Sequence, residues 1–500
     1  MSVQKRIISV IMVLLLATAL VFASRMEIKS LTSEEEITAW YTRSDTMYFW
    51  YSDPALSDYI NKAAVDFGEQ NNVHVFPMLI TTDNYLETVN RASVYNEQMP
   101  DAYLIDHTSL EMATLAGLAT EITDASGIVN SQNFSKAAID SVTYDGKIVG
   151  YPLSYDTSVL VYNKDYLKQW SEEKALAILM MDAEDYVITD YLANVKEELD
   201  EADADEWIDD IAEEEIDHYE MDSELVPYVE LSEEEKVTAL EAKKTEVYET
   251  ALPLTLNELL TIANTFNAPT GAEGVMKWDV SDIFYNFWIV GDVIELGGQN
   301  GDDKAKISIN NSGDFVCLKY YQYLNRFFSI EADQVNYEDV VEDFIDGKML
   351  FTIASTDVVA SLEAAKEEDR IAFEYGFAML PGVNDEVSSR SMSASTAVVV
   401  NGYSEKKELA NEFAAYLVSD YASELYARTG KPSANIHANA SYSELAVFDA
   451  EYAKSVPLPK VIELENIWMD LEAMFARIWG GADIQKEMEE LENTVNLFFL

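Results

Sequence analysis

A chain of 500 residues, 48% of them apolar, is too long for one core and too apolar for wholesale disorder, so roughly two to four domains are expected. Its 33 basic against 91 acidic residues give a net charge of −58, which repels nucleic acid and anionic lipid and excludes both as partners. A lone cysteine, Cys317, excludes an internal disulfide, and with only four histidines the usual zinc spacings are missing, so neither a metal nor a cofactor is expected.

Lys5 and Arg6 precede the apolar run 7–22, and Val21-Phe22-Ala23 is a small-x-small cleavage pattern. Residues 1–23 are therefore an export signal or, if uncleaved, an N-terminal anchor, although the run falls short of the about 20 residues a membrane span needs. Residues 24–45 form a polar tether, and the rest works outside the cytoplasmic membrane. "TMYFWY", 46–51, reads as a buried strand. Asp53 then caps a helix with Pro54 at its first position, and Leu56, Tyr59, Ile60, Ala63, Ala64 and Phe67 recur at helical spacing. "VHVFPMLI", 73–80, is the next strand, giving a β-α-β unit with parallel strands and an α/β class. "TTDNYLETVNRASVYN" follows as helix, "DAYLID" as strand and "SLEMATLAGL" as helix. "GYPLSYDTSVLVYNKDYL", 150–167, sets a polar-aromatic corner, Tyr155-Asp156, between apolar strands.

The segment 171–250 breaks this rhythm with 29 acidic and 5 basic residues, a net of −24, and is expected to be an acidic helical/disordered insertion with boundaries near 169–252, Ala175, Leu176, Ile178 and Leu179 suggesting helical pieces around a mobile acidic core. Asp203 and Asp205 are spaced as in a calcium loop, but the turn glycine is missing, so a solvated surface is preferred to a calcium site. Order resumes at Thr255 and Glu258, a capping box. Cys317 lies in the apolar stripe of "DFVCLKYYQYLNRFF", a core position. "FEYGFAML" and "STAVVVN" are strands, and one long helix is expected with Leu409, Phe413, Leu417 and Tyr421 on one face and Gly430 as its stop.

No nucleophile elbow, phosphate loop or dinucleotide fingerprint is present, and "ELGGQNGDD", 295–303, ends in acids that would repel phosphate. Asp156 and Asp282 lie beside aromatics and would serve as the carboxylate pair of a glycoside hydrolase; surface or cap positions are the plainer account of each. A sugar is held differently, by carboxylates on its hydroxyl edges and rings on its C–H faces, at the C-terminal ends of strands. Such residues stand there repeatedly: Tyr51, Ser52 and Asp53; Asp106 and His107; Tyr155 and Asp156; Ser355, Thr356 and Asp357.

"MPDAYLIDHTSLEMATLAGL", "DGKIVGYPLSYDTSVLVYNKDYL", "FIDGKMLFTIAS" and "NGYSEKKELANEFAAYLVSDYASELYARTGKPSA", in this order, resemble the extracellular solute-binding proteins of ABC importers, the maltose-binding type, over roughly 46–168 and 253–495. The resemblance implies a type II periplasmic-binding-protein-like fold of two α/β lobes closing on a sugar. Lobe 1 would hold 46–154 with 395–445, and lobe 2 would hold 155–394 with 446–495. It further implies that Asp156 touches sugar hydroxyls, that Trp278, Phe284 and Tyr285, beside Asp282, and Trp468 stack on sugar, and that Ser52, Asp53, Asp106 and His107 line the opposite lobe. Trp278 and Phe284 have core positions as their plainer account, and Asp53 a cap. Two departures stand out: Ser24 where many relatives carry a lipid-bearing cysteine, and the acidic insertion. The binding loops vary across the family, so the sugar's identity does not carry over.

The function expected is a monomeric, non-enzymatic receptor that captures an oligosaccharide and delivers it to a membrane permease. Closure follows from contact with both lobes, because full switching needs about 5.5 kcal/mol of preference for the closed state. In this expectation Tyr155 stacks on the solute while Asp156 accepts its hydroxyl protons. A secreted glycoside hydrolase and a surface sugar sensor are the alternatives, and a peptide or polyamine ligand stays open.

Overall fold

The computed structural model describes residues 46–95, 98–180, 228, 231–464 and 466–499; the export signal, the tether and the middle of the acidic insertion lie outside them. The chain opens with β1 (Thr46–Tyr51), α1 (Ser57–Asn71), β2 (His74–Leu79), α2 (Tyr85–Tyr95), β3 (Ala102–Asp106), α3 (Leu110–Leu115) and α4 (Lys136–Ser141). It continues through β4 (Thr143–Tyr144), β5 (Lys147–Ile148), β6 (Tyr151–Thr157), β7 (Val159–Asn163), α5 (Lys164–Met180), α6 (Glu233–Glu249) and α7 (Leu256–Thr265). Next come β8 (Gly274–Met276), β9 (Glu295–Leu296), β10 (Ile307–Ser308), α8 (Ser312–Phe328), α9 (Tyr337–Ile345), β11 (Met349–Ala354), α10 (Val358–Glu367) and β12 (Tyr375–Ala378). Last are β13 (Met392–Val400), α11 (Lys407–Val418), α12 (Glu424–Thr429), α13 (Ala446–Lys454), β14 (Val456–Pro457), α14 (Ile467–Trp479) and α15 (Ile484–Phe498).

Two sheets divide the molecule. The first runs β2-β1-β3-β13, with β14 and β6 also paired to β13. β1 is parallel to β2, from Thr46 opposite His74 to Tyr51 opposite Leu79, as the β-α-β reading required. The second runs β12-β7-β11-β8. One face of the first sheet packs around Trp50, Tyr103 and Val399. The other packs around Phe49, Tyr59 and Phe413 and continues through Tyr155 and Val159 to Phe344 and Ala354 beside the second sheet. The second lobe has its own core of Trp278, Trp288, Tyr321 and Trp479, with Cys317 fully buried in it.

The chain crosses between the sheets three times: at Ser158 between β6 and β7, over 379–391 before β13, and over 455–461 after α13. Hydroxyls on alternate residues of "SRSMSAS" bind these crossings together. Ser391 pairs with Thr157 at 2.8 Å, Ser393 with Ser455 at 2.7 Å and Ser395 with Tyr452 at 2.8 Å. The period of two in a strand turns every second serine to one side, so their buried oxygens satisfy one another.

One expectation changes. The long helix before Gly430 is two helices, α11 and α12, because Asn435 Nδ2 donates to the Val418 carbonyl at 2.9 Å and ends the first. The turn that follows sets Tyr421 against Tyr59, ring centroids 5.2 Å apart. The described ends of the acidic insertion are helices, as its apolar residues suggest. α5 and α6 pack on each other, with a Lys244–Glu172 ion pair at 3.5 Å and a Ser232–Glu235 capping box starting α6. Among the described residues no helix is long and apolar enough to cross a membrane.

Candidate functional site

The C-terminal ends of β1 and β3 open onto a cavity of about 650 Å³, walled also by the first turn of α2, Met112, Thr396 and Lys431. Asp53 sits where β1 turns into its helix. Its Oδ1 accepts the Ala55 N–H at 2.9 Å, the cap read from the sequence, and Pro54 needs no such partner. Its Oδ2 lies 3.1 Å from Lys431 Nζ. Lys431 is placed by Gly430, which ends α12 in the left-handed conformation at φ 70° and turns the chain back to the cavity. Asp106, at the end of β3, is exposed at the rim, yet burial of its carboxyl among protein atoms raises its pKa; Lys431 opposes the shift and Asp53 adds to it.

A second polar group gathers where β6 and β11 end. Asp156 Oδ1 accepts from Thr356 N–H at 3.1 Å and Thr356 Oγ1 at 2.7 Å. Burial raises the Asp156 pKa, the two Thr356 hydrogen bonds pull it back, Asp357 pushes it up, and Lys431 lowers it. Lys431 thus acts on Asp53, Asp106 and Asp156, three carboxylates at strand ends of the first sheet, the last of them bonded to Thr356 just after β11 in the second. Asp357 Oδ1 accepts from Ser355 Oγ at 2.6 Å and Tyr337 Oη at 2.8 Å, while the Ser355 N–H donates to Tyr337 Oη at 3.2 Å. The Tyr285 ring stacks on Tyr337, centroids 4.7 Å apart and 9° from parallel, with its hydroxyl 3.2 Å from Ser355 Oγ. Phe284 meets Tyr285 edge-on at 5.5 Å, and Asp282 caps this turn by accepting the Phe284 N–H at 2.8 Å. Asp282 carries a carboxyl raised by burial.

The structure therefore brings Ser52, Asp53 and Asp106 to one wall, and Asp282, Phe284, Tyr285, Ser355 and Asp357 to one neighbourhood on the other lobe, where Asp156 reaches them from the end of β6 in the first sheet. Trp468 is half-buried at the start of α14, which touches the 283–285 turn.

Four candidates are elsewhere. Tyr51 is buried with its hydroxyl on Ser57 Oγ at 3.2 Å, because it points into the first core. Tyr155 stacks on Tyr452 at 4.0 Å and donates to Asp449 Oδ1 at 2.7 Å; adjacent strand residues face opposite ways, so it is turned into the first core, away from the side that Asp156 faces. His107 is wholly buried between the Ser395 backbone and the Leu458 carbonyl, 2.9 Å from Nε2, and burial pushes its pKa down to about 3. Trp278 is wholly buried, edge-on to Trp479 at 5.4 Å with Nε1 donating to Asn286 at 2.9 Å. Sequence reasoning left out Lys431, Tyr337 and the α2 turn Asp83–Glu87. Of these, only Lys431 had a local signal, a cation directly after a helix-stopping glycine.

Among the described residues no group of three or more His, Cys, Asp or Glu side chains is arranged to hold a metal ion. The arrangement suits hydroxyl recognition, with carboxylates as acceptors and tyrosine and threonine hydroxyls around them.

Two sequence profiles, both described as bacterial extracellular solute-binding protein, match residues 62–193 and 200–423. The maltodextrin-binding protein MdxE of Bacillus subtilis (strain 168) is 22% identical over 376 residues, 73% of this chain and 70% of that protein. The fold matches the extracellular solute-binding protein from Staphylococcus aureus solved in complex with maltose, at TM-score 0.66 and 15% identity over 91% of this chain and 98% of that one. It also matches MalX from Streptococcus pneumoniae solved in complex with maltopentaose, at TM-score 0.59 and 16% identity over 90% of this chain and 99% of that one.

Proposed function

The chain is a bacterial extracellular solute-binding protein, and from that premise we propose that it captures a maltooligosaccharide-type sugar between its lobes and hands it to the permease of an ABC importer. One observation carries the reading: polar groups of the two sheets converge where the chain crosses between them, with Asp156 at the end of β6 in the first sheet accepting from Thr356 just after β11 of the second, and Lys431 acting on Asp156 as on Asp53 and Asp106. A solute that hydrogen-bonds to groups of both sheets is bound more tightly when the lobes approach, and that differential affinity drives closure. The lobes divide at the three crossings, near 46–157 with 392–457 and 158–391 with 458–495, so that α13 stays with the first lobe, and the receptor is a monomer that binds without turnover. Asp156 and Asp357 accept sugar hydroxyls, and Phe284 and Trp468 offer ring faces. Residues 1–23 export the chain and, uncleaved, hold it at the membrane.

A thermal-shift screen of maltose to maltopentaose tests this. Solute at 100 times its Kd adds about 2.7 kcal/mol of stability. A raised melting temperature with the sugar recovered unchanged is the expected result. Sugar consumed during incubation would replace the receptor by a hydrolase, and a shift only with peptides or polyamines would replace the ligand class.

A further inference from the structure

The third crossing, residues 455–461, is tied to both lobes. On the first-lobe side, the N–H groups of Val456 and Leu458 donate to the Ser391 and Ser393 carbonyls at 2.9 and 3.0 Å, and the Leu458 carbonyl meets His107. On the second-lobe side, the Lys460 N–H donates to the Gly301 carbonyl at 2.7 Å. Gly301 has φ 70°, and a Cβ there would stand 3.0 Å from Pro459 Cα, so this close approach requires glycine. The Lys460 side chain, 1% exposed, donates from Nζ to the Asp140 carbonyl of α4 at 2.9 Å and to the Asn300 carbonyl of the loop between β9 and β10. One amine thus bridges a backbone oxygen of each lobe. Gln299 reaches Asp140 Oδ1 at 3.1 Å and Asp302 accepts the Asp145 N–H at 2.8 Å beside it. None of these residues lines the cavity.

The charged groups around this amine do not neutralise it directly. The Asp140 carboxylate is engaged by Lys136 at 2.5 Å and by Gln299; Asp302 faces Asp145; Lys304 of the same loop pairs with Glu111 and Glu463; His107 is neutral. Burial pushes the Lys460 amine down to about 7, against the pull of Asp302 and Asp140. Its direct partners are carbonyls, and a charged donor holds these about twice as strongly as a neutral one.

We propose that Lys460 is a protonation-controlled clasp that narrows the range of angles the lobes sample when charged, leaving closure open to them, and lets that range widen when neutral. Resting on the reading that a solute is caught between moving lobes, this makes affinity depend on pH through a residue outside the cleft. A loosened clasp leaves more lobe freedom to be lost on binding.

The test is the interlobe distance in the ligand-free full chain, by pulsed EPR between labels at Glu69→Cys on the first lobe and Glu368→Cys on the second, at pH 6 and 8.5. Both positions are exposed, while Cys317 is buried with its thiol pushed up to about 12, out of reach of the label. A narrow distribution at pH 6 that broadens at 8.5, and is broad at both in Lys460→Met, supports the clasp. If that variant does not fold, Asp302→Asn should shift the broadening to lower pH. The accompanying solute Kd should weaken roughly fivefold across the same range. A wild-type distribution unchanged by pH overturns the clasp and leaves the receptor standing; a sugar consumed in the thermal-shift screen overturns the receptor whatever the distance shows.

Discussion

Asp314→Asn should stabilise the second lobe at neutral pH and leave it unchanged in acid. Asp314 lies in the first turn of α8 at 1% exposure, with Oδ2 accepting from Asn311 Nδ2 at 2.6 Å and Oδ1 buried without a partner. Burial pushes its carboxyl up to about 8. The helix N-terminus favours the anion, but by only about 0.3–2 kcal/mol, so burial wins. Since the folded pKa lies above the unfolded one, the folded state holds the proton longer, and stability falls as pH rises from about 4 to about 8. At pH 7 the difference from an unfolded value of about 3.9 amounts to about 4 kcal/mol, an upper figure. Asparagine resembles the protonated acid and cannot ionise. Calorimetric melting at pH 4 and 7.5 reads the effect, expected as a gain of at most roughly 8–16 °C in the second-lobe transition at the higher pH only, less the cost of the buried amide N–H groups that replace the unpartnered Oδ1. A variant no more stable than the parent at pH 7.5, or equally stabilised at both pH values, would refute the reasoning.

Lys431→Met removes the cation that holds Asp106 and Asp156 down, so loss of solute binding on acidification should move to higher pH, as isothermal titration from pH 4 to 8 would show. Tyr337→Phe leaves the Ser355 N–H and Asp357 Oδ1 each one hydrogen bond short, at a cost of about 1–3 kcal/mol read as lower melting temperature and weaker binding. Trp278→Ala should destabilise by about 3–5 kcal/mol with solute affinity of the folded fraction intact. Trp468→Ala, half-buried beside the 283–285 turn, should do the reverse, with Kd weakened at least fivefold at nearly unchanged melting temperature.

The two tryptophans show where sequence reasoning stops. Both stand in aromatic stretches that the family resemblance marks for stacking, and nothing local separates them. Trp278 follows β8 directly into a core of large rings, whereas Trp468 opens a helix whose next residue, Met469, is 63% exposed. Tyr155 and Asp156 are adjacent in sequence, and strand geometry alone sends them to opposite faces. Which of the two faces the solute depends on where the partner strands and α13 lie.

The sequence by itself determined the class, the β-α-β opening, the caps at Asp53 and Thr255, and the positions of Ser52, Asp53, Asp106 and Asp156 at strand ends. Those follow from short-range rules: period, capping chemistry and strand direction. Tertiary structure decided what depends on separations of hundreds of residues. It set Lys431 among Asp53, Asp106 and Asp156, drew Tyr337 onto Asp357, turned His107 from a cleft residue into a buried brace for Leu458, and placed Lys460 between the lobes. Burial and charge pairing are properties of what folds around a side chain, so no local pattern carries them.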